Sequence, residues 1–402
     1  MKRIIVTSGF ALSSLALAVS SATASEIRFD GFASFVAGQV LDKDELVQDD
    51  FRGYDDKLGF QNNSLFALQM RADLQDKLSA TAQIIAKGEN DYDAKFNWAY
   101  LAYELTNELT VKAGRFRTPL FMYSDFLDVG YAYHWISPPD SVYDLSGFDS
   151  SDGVMFEYQA DIAGWNSLAT LTLGRTAVDV LSGALDSSDS WTVTWTMNYD
   201  WFTARVVHAD SQISVTNDQL TAIAGGLTGA GVTQDAIDDM LLESDRGYFN
   251  GVAVGVDTGA LFATAEYSEV GSEDAFNADP KKSWYVTAGM RRGDWTFFAT
   301  VENVSADAPT KSRDAITDQV DGTIAFLSTL PGQEEAIAGL QALRGGVVQL
   351  YQSSERDEDI YSIGARYNFH PAAAAKVEYM EMDDKINDVK PSAIAIAIDL
   401  VY

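Results

Sequence analysis

From Ser190 the chain reads Ser-Trp-Thr-Val-Thr-Trp-Thr-Met-Asn-Tyr, which puts Trp191, Val193, Trp195, Met197 and Tyr199 on one face and Thr192, Thr194, Thr196 and Asn198 on the other. A period of two sustained over such a stretch predicts a β-strand with one apolar and one wet face. Similar segments begin near Ile27, Asn63, Leu78, Lys95, Leu109, Gly153, Asn166 and Ser190, and again near Phe202, Phe249, Leu261, Ser283, Trp295, Asp359, Ala372 and Ser392. The pattern predicts about sixteen strands. No solenoid repeat or low-complexity tract interrupts them, so one domain is expected.

The connections alternate in length. Short ones at Gln75 to Lys77, Thr106 to Glu108, Tyr199 to Trp201, Asp257 to Ala260, Arg292 to Asp294 and His370 to Pro371 carry turn residues such as Asp-Lys, Asp-Thr-Gly and His-Pro. Longer ones run from Leu41 to Gln61, Thr118 to Asp152, Thr176 to Asp189, Ile213 to Tyr248 and Ser305 to Glu358. Tight turns on one side and long loops on the other are the signature of a transmembrane β-barrel, whose strand number is even and whose two ends share the tight-turn side. Within two long segments, Asp218 to Glu243 and Ala315 to Leu343, the spacing of Ile237, Met240 and Leu241 and of Ile337, Leu340 and Leu343 predicts short helices.

Composition agrees. Of 402 residues 47% are hydrophobic and 12% aromatic, none is cysteine, and 28 Lys and Arg face 59 Asp and Glu for a net charge of -31. That charge argues against any nucleic-acid partner held by bulk electrostatics. The aromatics suit membrane girdles: Trp201, Trp295, Phe369 and Tyr402 in a periplasmic belt, Trp191, Trp284 and Tyr361 in an outer one. Lys2 and Arg3, the apolar stretch from Ile4 to Val19 and the small residues Ala22 and Ala24 read as a cleaved signal peptide over 1–24, leaving a barrel over 25–402 and export from the cytoplasm. The last strand keeps Ile394, Ile396, Ile398, Leu400 and Tyr402 on one face. Its aromatic end resembles the signature that outer-membrane barrels present to the barrel-assembly machinery, which makes Tyr402 the expected assembly signal.

The segment Leu109-Thr-Val-Lys-Ala-Gly-Arg-Phe-Arg-Thr-Pro119, a strand ending in Gly-x-Phe-x-x-Pro before a long third loop, resembles the matching segment of the sixteen-stranded porins of Gram-negative outer membranes, of general and phosphate-selective type. The resemblance implies a water-filled channel for passive diffusion of small hydrophilic solutes and ions, a homotrimer, and a setting in outer-membrane lipid and lipopolysaccharide. It also implies a third loop, Thr118 to Asp152, folded into the barrel as the constriction. Its acidic members are Asp125, Asp128, Asp140, Asp144 and Asp149, with Arg115 and Arg117 where strand meets loop. The alternative within this class is a porin selective for anions such as phosphate or small carboxylates.

With the apolar set of each strand turned outward, the inward set holds Arg28, Arg71, Lys87, Lys112, Arg205, Arg291, Arg366 and Lys376, with Asp30, Asp73, Glu157, Glu266, Glu302 and Glu378. Arg or Lys facing lipid would cost about 2 to 4 kcal/mol at mid-depth, so these charges belong in the lumen wall. The expectation is a basic wall facing an acidic loop across the pore, setting a transverse field.

Enzyme readings find little support. His134, His208 and His370 fall in a loop, a strand end and a turn, and there is no Walker loop, no His-Glu-x-x-His and no cysteine cluster. An outer-membrane lipase or protease barrel and a soluble exported β-rich binding protein are the readings outside the class. No cofactor and no resident metal is expected; the acidic runs Asp42-Lys-Asp-Glu45 and Asp357-Glu-Asp359 fit no EF-hand.

Overall fold

The alternating segments pair edge to edge into sixteen antiparallel strands in chain order, and the first and last strands hydrogen-bond to close the barrel. The computed structural model describes residues 26–42, 50–145, 148–180, 183–273 and 280–402; the expected leader over 1–24 and residues 43–45 of the first acidic run lie outside the described residues. The strands are β1 (Ile27–Val40), β2 (Leu65–Gln75), β3 (Leu78–Lys87), β4 (Ala94–Glu104), β5 (Leu109–Arg117) and β6 (Ser150–Ile162). Next come β7 (Trp165–Val180), β8 (Gly183–Tyr199), β9 (Phe202–Asn217), β10 (Asp245–Asp257) and β11 (Leu261–Ser272). The circle ends with β12 (Lys281–Arg292), β13 (Trp295–Ala306), β14 (Arg356–His370), β15 (Ala373–Asp384) and β16 (Ser392–Val401). Closure matters because lipid offers no partner for a free strand edge.

Residues directly opposite in an antiparallel ladder share a face. Thr192, Thr194 and Thr196 oppose Ala209, Val207 and Arg205, while Trp195 opposes Val206. Trp195 and Val206 are exposed and Thr192 and Thr194 buried, so the apolar face looks out to lipid and the hydroxyl face into the barrel. β16 repeats the arrangement with larger contrast: Ile394, Ile396 and Ile398 stand outside, while Ala393, Ala395 and Ala397 are buried inside. The small alanines leave room for whatever fills the lumen.

The segment from Thr176 to Asp189, expected to be a loop, is mostly strand: Ala177, Val178 and Asp179 pair with Asp186, Leu185 and Ala184. β7 and β8 have 16 and 17 residues, well beyond the roughly 9 to 11 that span a bilayer. Above the membrane both faces of a ladder meet water, so its hydrogen bonds continue after the hydrophobic alternation has faded.

The two helix-like loops are helical. A short helix in the third loop, α1 (Asp140–Tyr143), is followed by α2 (Asp218–Gly229) and α3 (Gln234–Asp238) between β9 and β10, and by α4 (Thr310–Leu327) and α5 (Glu334–Gln352) between β13 and β14. Leu227, Ile237, Met240, Ile316, Val320, Val347 and Tyr351 form a separate core shared by α2 to α5, outside the barrel wall. Among the described residues no helix is long and apolar enough to cross a membrane; the strands do that.

At the tight-turn end Tyr402 lies over Gly31 of β1. A Cβ there would stand 2.1 Å from the ring, so glycine is what allows the terminal aromatic to lie flat on the seam.

Candidate channel constriction

A backbone segment buried inside a barrel must find partners for its own N–H and C=O groups, and the wall of this barrel supplies both kinds. Residues 118–145, which follow β5, turn inward. Met122 N–H donates to Glu266 Oε1 at 2.8 Å and Ile136 N–H to Glu378 Oε2 at 2.9 Å. In the other sense Arg366 donates to the carbonyls of Tyr131 (2.6 Å) and Tyr133, Lys376 Nζ to those of Gly130 (2.7 Å) and Trp135, and Arg205 to that of Pro119. Three of the predicted wall bases are therefore engaged by the loop's own carbonyls rather than turned toward open water. Apolar and aromatic contacts complete the docking. Phe121 meets Phe249 edge-on at 5.4 Å, the Trp135 ring meets Tyr285 at 5.7 Å, and Trp135 Nε1 donates to Thr300 Oγ1 at 2.9 Å. Gly130 sits so close to the wall that a Cβ would lie 2.5 Å from Asp399 Oδ1.

The acidic residues of the loop divide into three settings. Asp128 is buried, ion-paired with Arg117 and, at 3.0 Å, with Lys87, and accepts from Asn97. Burial alone would raise its carboxyl, but Arg117 and Lys87 overcome this and hold it at about 2. Asp140, Asp144 and Asp149 line the outer vestibule together with Asp128. Asp140 keeps 46% of its side chain open to that space, yet its deep setting, opposed by Arg52 and reinforced by Glu302, pushes its carboxyl up to about 6. Asp144 pairs with Lys281 at 3.6 Å. Asp125 is exposed and does not line the vestibule.

The two arginines at the loop entry part company. Arg117 reaches inward over the Trp98 ring to Asp128. Arg115 opposes Ala99, next to the pair Leu101 and Ala113, and forms a 2.7 Å ion pair with Asp152. Asp152 in turn opposes Arg175 at the upper end of a face that carries the exposed Leu171 and Leu173. The register thus sets Arg115 on the outer surface, away from the constriction where sequence reasoning placed it.

The remaining wall bases are paired nearer the lumen's other levels. Arg28 and Arg71 share Asp73 at 3.0 and 3.6 Å, Lys112 holds Glu157 at 2.6 Å, and Arg291 holds Asp257 at 2.7 Å beside a tight turn.

Sequence reasoning missed the first loop. Phe51 and Tyr54 are buried against Val36, Ile136 and Met380, and Arg52 reaches Glu302 at 2.5 Å. The clue available in the sequence is Asp50-Phe-Arg-Gly-Tyr54, a turn flanked by two aromatics in an otherwise acidic loop.

Above the third loop lies a vestibule of about 1230 Å³. Among the described residues its lining carries Asp50, Glu89, Asp128, Asp140, Asp144, Asp149, Glu355, Glu358 and Asp384 against Arg52, Lys87, Lys281 and Arg356, nine carboxyl groups to four bases. The three histidines lie apart. His134 packs among Trp135, Phe262 and Phe298, His208 contacts Asn250 and Trp191, and His370 accepts from a turn N–H, so they share no site.

A closed, lipid-facing barrel with an inward loop and a polar vestibule defines a transmembrane channel. Residues 11–387 match the Gram-negative porin family, and the chain belongs to that family. It is an outer-membrane channel for passive diffusion. No curated protein sequence matches it. Among solved structures it is similar to OmpF of Salmonella typhi in complex with daunomycin, with TM-score 0.56 and 13% identity over 94% of this chain and 98% of that one. It is also similar to a loop L8 deletion mutant of OmpT, an outer membrane protein of Vibrio cholerae, with TM-score 0.56 and 11% identity over 94% and 100%. The anion-selective porin from Comamonas acidovorans gives TM-score 0.52 and 10% identity over 94% and 100%. At these identities the likeness shows the shared sixteen-strand fold.

Proposed function

We propose that the protein is a non-enzymatic general porin with a preference for cations, exported through a cleaved leader over 1–24, inserted by machinery that reads the Tyr402 end, and assembled as a homotrimer among lipopolysaccharide. The observation that carries the preference is the vestibule lining, which among the described residues holds nine carboxyl groups to four bases. A ring of like charge raises the local concentration of counter-ions and disfavours co-ions. Trimeric assembly is supported by the trimer form described for OmpT of Vibrio cholerae, similar at TM-score 0.51. The anion-selective alternative would need bases turned to open water, and Arg205, Arg366 and Lys376 are spent on the loop.

The test is the current through the detergent-purified, folded protein in a planar bilayer, followed by its reversal potential in a KCl gradient. Stepwise conductance with a potential of cation sign is expected. An anion sign would replace this reading with the anion-selective one, and a folded protein that never conducts would remove both.

A further inference from the structure

Residues 50–64 of the first loop do not stand clear of the barrel mouth. Phe51 N–H donates to the Tyr54 carbonyl at 2.9 Å, and Gly53 takes a φ of +75° while its N–H is accepted by Asp50 Oδ1. Asn62 Nδ2 donates to the Arg52 carbonyl at 2.7 Å, fixing the tip from behind. This tight turn drives its tip down onto the third loop, with Phe51 and Tyr54 buried on either side of it.

From the tip the Arg52 guanidinium joins three elements. Nη2 lies 2.5 Å from Glu302 Oε2 on β13, Nε lies 3.4 Å from Asp140 Oδ2 at the start of α1, and Nη1 lies 3.6 Å from the Met380 sulfur on β15. The same Glu302 oxygen accepts from Ser141 N–H of the third loop at 3.3 Å. One wall carboxylate thus serves both loops. The side chains of Arg52 and Glu302 are 9% and 1% exposed, so neither charge has water to fall back on.

We propose that residues 50–64 of the first loop form a second constriction element, held inside the barrel by Arg52, and that Arg52 sets both the width of the vestibule floor and part of its charge. A buried carboxylate that loses its cation must take up a proton or regain water. Here water is regained by lifting residues 50–64, which widens the passage, bares Glu302 to the permeating ions and leaves Asp140, already open to the vestibule, without its cation. Arg52 is a positioning residue in this scheme, and its charge and its length both count.

The current readout rests on the channel reading above, so a second readout independent of it is paired with it. Folded wild type, Arg52→Met, Arg52→Lys, Glu302→Gln and the double variant Arg52→Met/Glu302→Gln are compared in planar bilayers. The same samples are digested with chymotrypsin in detergent, and cleavage after Phe51 and Tyr54 is read by mass spectrometry.

Arg52→Met is expected to raise single-channel conductance, shift the reversal potential toward cations and open both cleavage sites. Arg52→Lys should shift the potential less, because the charge stays while the paired geometry is lost. The double variant should conduct no more than Arg52→Met alone, since both changes break one link. Folded Arg52→Met with wild-type conductance, potential and cleavage would overturn the proposal. If Arg52→Met does not fold, Glu302→Gln decides by conductance and cleavage, both expected to rise because the same link is broken. Its potential, with an acid lost and not a base, is expected to move away from cations, and unchanged conductance and cleavage would overturn the proposal. If wild type never conducts, the channel reading falls, and the cleavage comparison still decides whether Arg52 holds the loop.

Discussion

Lys376 on β15 and Asp399 on β16 form an ion pair 2.7 Å long behind the third loop, each side chain 1% exposed. The pair is not isolated. Asp399 also accepts from Ser34 Oγ at 2.6 Å, and Lys376 donates to the carbonyls of Gly130 and Trp135, so one ammonium ties two strands to the loop that crosses the lumen. Lys376→Met would leave Asp399 without its cation and two loop carbonyls without their donor. Breaking a buried pair from one side typically costs about 3 to 5 kcal/mol. The urea unfolding midpoint of the folded barrel should fall, and single-channel current should become noisier as the loop loosens. Replacing Asp399 by Asn in the same chain should recover part of the loss, because no uncompensated charge then remains. An unchanged midpoint in Lys376→Met would show that the pair does not hold the loop.

The pH dependence of selectivity follows from two acids of the third loop with opposite shifts. Asp140, pushed up to about 6 by its deep, partly desolvated setting, takes a proton as the pH falls through that value; Asp128, held at about 2 by Arg117 and Lys87, stays ionised. Protonation removes one negative charge from the vestibule, so cation preference should weaken between about pH 7 and pH 5. In Asp140→Asn the preference should already be weaker at neutral pH and the step near 6 should vanish. Reversal potentials across a pH series check both statements, and a step that survives in Asp140→Asn belongs to another group.

Arg115 and Arg117 are two residues apart and are expected to behave differently. Arg115 pairs with Asp152 on the outer surface, so Arg115→Ala should leave conductance and reversal potential unchanged. Arg117 is one of two cations on buried Asp128. Arg117→Ala should shift the potential toward cations and lower stability. A potential that moves with Arg115 and not with Arg117 would contradict the register described for β5.

That pair of residues shows what could and could not be taken from the sequence. Strand positions were legible because lipid imposes a strict demand, apolar at every second position, that Ile394, Ile396 and Ile398 or Trp195 and Val193 satisfy without help from distant residues. Arg115 follows the same rule, since Leu109, Val111 and Ala113 precede it on the outward parity, and the charges at the loop entry do not change that parity. Arg117 departs from parity. Gly114 takes a φ of +131° and pairing with β4 ends at Arg115, so the chain is free to turn inward. The inward third loop was expected from the family resemblance, but the partners that dock it, and the docking of the first loop, were not legible. Trp135 with Thr300, Ile136 with Glu378 and Arg52 with Glu302 are joined across more than 160 residues, and no local period marks such contacts.

Tyr402 offers a way to separate folding from targeting. Its ring lies over Gly31, stacks on Phe66 at 6.1 Å, and its hydroxyl donates to the Ala67 carbonyl at 3.2 Å. Because 59% of the residue still faces outward, Tyr402→Ala forfeits a modest contact, about 1 to 2 kcal/mol from the ring pair and the hydrogen bond together. Tyr402→Phe keeps the ring and loses only the hydrogen bond. If Tyr402 is an assembly signal as well as a seam residue, purified Tyr402→Ala should refold into detergent or lipid vesicles with a small loss of stability, yet reach the outer membrane of cells poorly, and Tyr402→Phe should do both well. Heat-modifiable mobility on gels reports the folded fraction in each setting. Equal folding of Tyr402→Ala in vesicles and in cells would leave the terminal aromatic with a structural role alone.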